Sequence, residues 1–180
     1  KQFLKVDEWN IIEEGFHPDN MRASESIFSL GNGRFGQRGN FEETYSSDSL
    51  QGSYVASPFS TEPGGMVEKR NPRFFSRVPN APDWSGIYLR LIDEELDLAH
   101  WDVEAYRRRL DMREGISYRD FRVTSPKGHT LEVHVEHINS LANQNLCLIK
   151  YSVTSVNYEG KISLVPFLNG DVKHENSNFD

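Results

Sequence analysis

Tyr106-Arg-Arg-Arg-Leu-Asp-Met112, then Arg113-Glu-Gly115, then Ile116-Ser-Tyr-Arg-Asp-Phe-Arg-Val123: two β-type runs joined by a short turn that carries a glycine. Ser125-Pro-Lys-Gly128 then turns the chain into Thr130–Ile138, so a second hairpin is expected directly after the first. Beyond an Asn-rich break at Asn143–Asn145, the run Leu146–Ser155, the turn Asn157-Tyr-Glu-Gly160 and the run Lys161–Phe167 predict a third. Working back toward the N-terminus, Ile87, Leu89 and Leu91 alternate with Tyr88, Arg90 and Ile92. Asp93-Glu-Glu95 then leads into Leu96-Asp-Leu98, which predicts another strand pair. No segment sustains an apolar period of 3.6 residues. The expectation is an all-β fold, two packed antiparallel sheets forming a β-sandwich.

The chain has 180 residues, of which 37% are hydrophobic, enough to bury a core in one domain or at most two. No apolar run approaches the roughly 18 residues of a membrane-spanning helix, and no charged-then-apolar leader opens the sequence, so a soluble, cytoplasmic protein without a membrane partner is expected. Because the first residue is Lys1, a preceding tag or removed leader is compatible with this reading. With 20 Lys and Arg against 27 Asp and Glu the net charge is -7, which excludes a nonspecific nucleic-acid binder that works by phosphate neutralisation. The single Cys147 sits in Leu146-Cys-Leu-Ile149 and reads as a small buried hydrophobe, not a nucleophile.

Ser57–Asp83 departs from the strand rhythm. It holds five of the eight prolines and Gly64-Gly65, so neither a central strand nor a continuous helix fits, and a long loop over 57–83 is expected. Phe74-Phe75 within it is expected to dock, on its own sandwich or on a neighbouring domain.

Gly31-Asn-Gly-Arg-Phe-Gly36 matches a dinucleotide fingerprint, and Ser26–Leu30 before it reads as a strand. The fingerprint must open a helix, however, and Asn40–Asp48 has no helical apolar stripe. What remains is a glycine-dense connection that permits positive φ or close backbone approach. His134 and His137 fall on opposite faces of one strand and cannot converge on a metal, and Arg107-Arg-Arg109 alternates sides in the same way. Glu42-Glu43 and Asp93-Glu-Glu95 are read as solvated faces, since neighbouring acids on extended chain diverge. Trp9, Trp84 and Trp101 raise a sugar-stacking platform, with the core as the expected place of most.

Glu25-Ser-Ile-Phe-Ser-Leu-Gly-Asn-Gly-Arg-Phe-Gly-Gln-Arg-Gly-Asn-Phe-Glu-Glu43, followed by Tyr45–Tyr54, resembles the N-terminal domain of glycoside hydrolase family 65, which contains maltose, trehalose, kojibiose and nigerose phosphorylases and some hydrolases. Leu110–Ile116 with Arg119 and Phe121 resembles the family's hairpin, and Phe167–Val172 a family strand end. Three departures bear on substrate more than on family: Asn169 stands where Asp is commoner, Asp93-Glu-Glu95 replaces a glycine-containing turn, and the Pro-rich loop differs.

The resemblance implies a galactose-mutarotase-like supersandwich of which residues 1–180 are an incomplete N-terminal part. It also implies a helical barrel elsewhere in the protein that carries the general acid, so no catalytic residue is expected in this stretch. No cofactor and no metal are implied. Inorganic phosphate would be a co-substrate if the whole protein is a phosphorylase, an α-linked glucose disaccharide the substrate, and a homodimer the assembly. Gly31, Asn32, Gly33, Arg34, Phe35, Arg38 and Asn40 are expected at the barrel interface or substrate rim, with Arg34 and Arg38 as the cations. A stand-alone carbohydrate-binding module is the competing reading, and a dimerisation platform is compatible with the first.

Overall fold

The structure is a computed structural model that describes residues 3–63 and 74–172, with the side chains of 60–77 outside the description. In chain order the elements are β1 (Leu4–Val6), β2 (Asn10–Glu14), a 3-10 turn (Pro18–Asn20), α1 (Met21–Ile27), β3 (Leu30–Gly31), β4 (Phe35–Gln37), β5 (Ser53–Val55), β6 (Ser60–Pro63) and β7 (Phe74–Arg77). There follow β8 (Ile87–Arg90), β9 (Asp102–Asp111), β10 (Ile116–Thr124), β11 (Thr130–Asn139), β12 (Cys147–Ser155) and β13 (Ser163–Pro166). One six-stranded antiparallel sheet, ordered β1-β2-β9-β10-β11-β12, dominates. Three small sheets accompany it: β3-β4-β5, β8-β13 and β6-β7.

The two hairpins that open the meander form as expected. Asp111 closes the first turn by accepting the backbone N–H groups of Arg113 and Glu114, both at 3.0 Å. The Ser125 hydroxyl does the same for Lys127 and His129 in the second. Period-2 alternation turns Tyr106, Leu110, Phe121, Val123, Leu131, Val133 and Val135 to one face. There all of them but Leu110 pack with Met21, Phe41, Leu89, Leu91, Leu96, Leu98 and Trp101 from the segments that cover that face, forming one core. Fully burying side chains of this kind contributes about 1.5–3 kcal/mol each.

The third hairpin does not form. After β12, Tyr158 carries the chain across to the covering layer, where its ring joins the core and its hydroxyl accepts the Ile92 N–H at 3.1 Å. β13 pairs with β8 instead. The expected partner of β8, Leu96–Leu98, forms no strand with it: Glu95 just before it bridges Arg90 and Leu96 N donates to Leu89 O at 2.9 Å, after which Asp97 bridges Thr44 instead. Ser26-Ile27 belongs to a helix, not a strand. α1 is only seven residues long and buries Met21, Ser24 and Glu25, so the mostly polar inward face leaves no apolar stripe to read. The Pro-rich stretch is not loop throughout, since β6 and β7 pair antiparallel within it. The docking expected of Phe74-Phe75 concerns side chains outside those described, and Gly64-Gly65 and Pro72 lie outside the described residues. In β9, Ala105 adopts φ 49° where the register shifts opposite Phe121, a bulge that alternation cannot reveal.

Candidate functional site

The glycine-rich motif is a tight β3–β4 hairpin. Gly33 holds φ 87° at its tip, a conformation that favours glycine. The side chain of Asn32, itself buried, closes the turn by accepting the N–H groups of Arg34 and Phe35 at 3.1 and 2.8 Å. It donates to the carbonyls of Ser140 and Gln144, which staples the hairpin to the β11–β12 connection. Arg38 is turned inward: Nε donates to Leu50 O (2.9 Å), Nη1 to Ser26 Oγ (2.7 Å) and Nη2 to Arg22 O (2.8 Å), with Glu25 at 3.5 Å. Asn40 bonds Leu50 O and accepts from Gly52 N. At Gly39 a Cβ would lie 2.9 Å from Phe28 Cβ and 3.0 Å from Phe28 O, so the chain passes against α1's end at a distance only glycine allows. Of the seven rim candidates, therefore, Asn32, Arg38 and Asn40 brace the loop itself. Gly31, Gly33 and Arg34 are exposed and Phe35 is half-buried, with the Arg34 guanidinium 5.9 Å from the Phe35 ring.

Behind this hairpin lies a cluster of buried charge on the inner face of the large sheet. The Nη2 of Arg119 donates to Glu42 and, at 2.6 Å, to Glu43. Tyr151 OH donates to the other Glu43 oxygen at 2.5 Å, and His137 Nδ1 stands 3.3 Å from Glu42 Oε1. Alongside, Arg108 donates to Tyr106 OH (2.8 Å) and Gly39 O (3.0 Å), with Glu13 at 3.8 Å, and Ser24 donates to Glu13 at 2.8 Å. Both guanidiniums lie 5.0 Å from the Phe41 ring.

Burial alone would raise the Glu42 carboxyl. The Arg119 charge beside it and the His137 hydrogen bond overcome that and bring its pKa down to about 2. Arg119 is held above its ordinary value by Glu43 and Glu42 against its own desolvation, and the buried Tyr151 hydroxyl is pushed well up by burial and by Glu43. Glu42 and Arg119 are thus fixed charges. A general acid needs a pKa near the working pH, and Glu42 is held far from it. The expectation that Glu42-Glu43 forms a solvated face is overturned: both are buried because Arg119, in phase with Phe121 and Val123, projects a cation into the interior. Of Asp93-Glu-Glu95, Glu94 is half-buried, accepting from Ser125 Oγ and pairing with His129 Nδ1 at 2.7 Å, whereas Asp93 and Glu95 stay at the surface.

His134 and His137 diverge as expected, the first bound on the outer face to Asp120 and Glu136, the second to Glu42 inside. Among the described residues no group of three or more His, Cys, Asp or Glu could hold a metal ion, and no helix is long and apolar enough to cross a membrane. Burial raises the thiol pKa of the half-buried Cys147. Trp101 is in the core, Trp84 meets His137 edge-on with ring centroids 5.3 Å apart, and Trp9 is exposed.

The charged cluster had a signal in the sequence. Arg108 keeps the parity of Tyr106 and Leu110, and Arg119 that of Phe121 and Val123, so both cations had to point inward and find carboxylates.

Residues 11–180 match the family described as glycosyl hydrolase family 65, N-terminal domain. Over 99% of its length the chain is 37% identical to a maltose phosphorylase of Bacillus subtilis (strain 168), and over all of it 34% identical to an α,α-trehalose phosphorylase of Thermoanaerobacter brockii. It spans only 24% of the length of either. A solved structure described as a putative kojibiose phosphorylase from human microbiome superposes with a TM-score of 0.78 at 29% identity, over 86% of this chain and 21% of that one. The chain belongs to glycosyl hydrolase family 65 and corresponds to its N-terminal domain.

Proposed function

We propose that this chain is the non-catalytic N-terminal domain of an enzyme that cleaves an α-linked glucose disaccharide, by phosphorolysis with inversion to β-glucose 1-phosphate. The names of the relatives, a maltose and a trehalose phosphorylase among them, support the substrate class and the use of phosphate. The observation that carries the non-catalytic role is the state of Glu42 and Glu43. Both sit buried on Arg119, so neither is an accessible base, and Glu42, held ionised down to about pH 2, is no proton donor. The general acid then belongs to a barrel domain of the same protein, and this domain supplies wall and scaffold, with a homodimer as the assembly and the cytoplasm as its compartment. Within the glycine-rich hairpin the role at the barrel interface falls to the tip, Gly31, Gly33, Arg34 and Phe35, because Arg38 and Asn40 are engaged by their own loop. The three tryptophans, one in the core, one half-buried and one exposed, lend no support to an independent sugar platform.

The test is to incubate the full-length protein with maltose, trehalose and kojibiose, with and without phosphate, and to measure glucose 1-phosphate. Phosphate-dependent release from one of the three is expected. Phosphate-independent hydrolysis would overturn phosphorolysis, and turnover by residues 1–180 alone would overturn the non-catalytic role.

A further inference from the structure

Arg108 and Arg119 face each other directly across β9 and β10, both buried on the inner face of the sheet. Between them and the β3–β4 hairpin is a small cavity of about 20 Å³, lined by Gln37, Arg108, Ser117, Arg119 and His137 among others. Four of these residues each carry one buried polar atom without a protein partner: Arg108 Nη2, Arg119 Nη1, Gln37 Oε1 and His137 Nε2. The two guanidinium nitrogens and the amide oxygen are fixed as two donors and one acceptor. The Nδ1 of His137 faces a carboxylate oxygen of Glu42, which only accepts, so Nδ1 carries a hydrogen, and in the tautomer protonated there Nε2 is a second acceptor.

We propose that this cavity is a binding site for a single structural water molecule. Its oxygen accepts from Arg108 Nη2 and Arg119 Nη1, and its hydrogens go to Gln37 Oε1 and His137 Nε2. Two donors and two acceptors match the tetrahedral valence of water. A halide would leave both acceptors facing an anion, beside a cluster in which Glu13, Glu42 and Glu43 already outnumber the two arginines. The size also agrees, since a cavity needs about 10–15 Å³ on this measure to hold one water, and a buried water typically makes about three hydrogen bonds. The consequence is mechanical. Gln37 ends β4, so the water ties the glycine-rich hairpin to both arginines and through them to the large sheet, and it separates two like charges that register forces side by side.

The experiment is a crystal structure of the full-length protein at about 1.5 Å, with a second crystal soaked in bromide, and thermal melts of Gln37→Met. The expected result is one density peak within hydrogen-bond distance of at least three of the four atoms and no anomalous bromide signal there. Gln37→Met then melts below the wild type, because the water loses an acceptor that Met cannot replace. Empty density at the site overturns the proposal, as does an anomalous bromide peak. A Gln37→Met melting temperature equal to or above wild type overturns it too, since a dry cavity gains when an unsatisfied amide oxygen is removed.

Discussion

Arg119 and Arg122 lie three residues apart on β10, and each clasps glutamate in nearly the same way, Arg119 holding Glu43 at 2.6 Å and Arg122 holding Glu132 at 2.5 Å. The first side chain is 5% exposed and faces the core, while the second is 46% exposed and faces outward. Around Arg119, two carboxylates, a tyrosine and a histidine form one connected network. Around Arg122, and across the rest of that face, exposed pairs such as Lys150–Glu136 and Lys5–Glu14 follow one another. Chemistry is the same on both faces, so what separates them is solvent. An exposed pair exchanges water for a partner of similar worth, whereas removal of one member of a buried set leaves charge that nothing else can solvate.

The comparison predicts a graded series of effects. Arg119→Met strands Glu42 and Glu43 and costs about 3–5 kcal/mol in urea denaturation. A loss near zero would break the contrast between the faces. Next comes acid: the folded pKa of Glu42 is about 2 against an ordinary 4.5, so its contribution is full above pH 4.5 and is lost as pH falls toward 2. At 1.36 kcal/mol per unit this is on the order of 3 kcal/mol, read as a falling melting temperature over that window and flattened in Glu42→Gln. Gly39→Ala, which drives a methyl against Phe28 beneath the same network, costs about 1–3 kcal/mol by calorimetry.

The outer face answers weakly. Its His134 is raised above its ordinary 6.5 by the Asp120 hydrogen bond and by Glu136, despite some desolvation. Its contribution is therefore present below pH 6.5 and lost as pH rises through the folded value, a small downward drift in melting temperature that His134→Gln abolishes. Smallest is Arg122→Ala, expected to leave the denaturation midpoint within error of the wild type.

Much of this was legible in the chain. Regular alternation and turn chemistry from Tyr106 to Ile138 placed two hairpins and the core face, because a period of two is a local property. The pairing of β13 with β8 was not legible: Asn157-Tyr-Glu-Gly160 serves a crossing between layers as well as a reversal, and only the burial of Tyr158 decides between them. α1 was hidden because Ser24 and Glu25, turned inward to polar partners, erase the apolar stripe. Glycine density marked a connection that needs positive φ or close approach, met at Gly33 and, outside the seven rim candidates, at Gly39. The inward turn of Arg38 toward Leu50, Ser26 and Arg22 depends on contacts up to sixteen residues away, which spacing does not encode. Glu42 and Glu43 read as exposed because local sequence shows only neighbouring acids, while their cation, Arg119, lies 77 and 76 residues further along.

On the function proposed above, the buried charges brace the domain and take no part in bond cleavage. The most direct test is turnover by full-length Glu42→Gln and Glu43→Gln at saturating disaccharide and phosphate, measured alongside their melting temperatures. Lowered melting temperatures are expected, with kcat close to wild type at temperatures where the variants remain folded. A fall in kcat of about 10²–10⁴-fold, the loss that follows removal of a general acid or base, with melting unchanged, would contradict it.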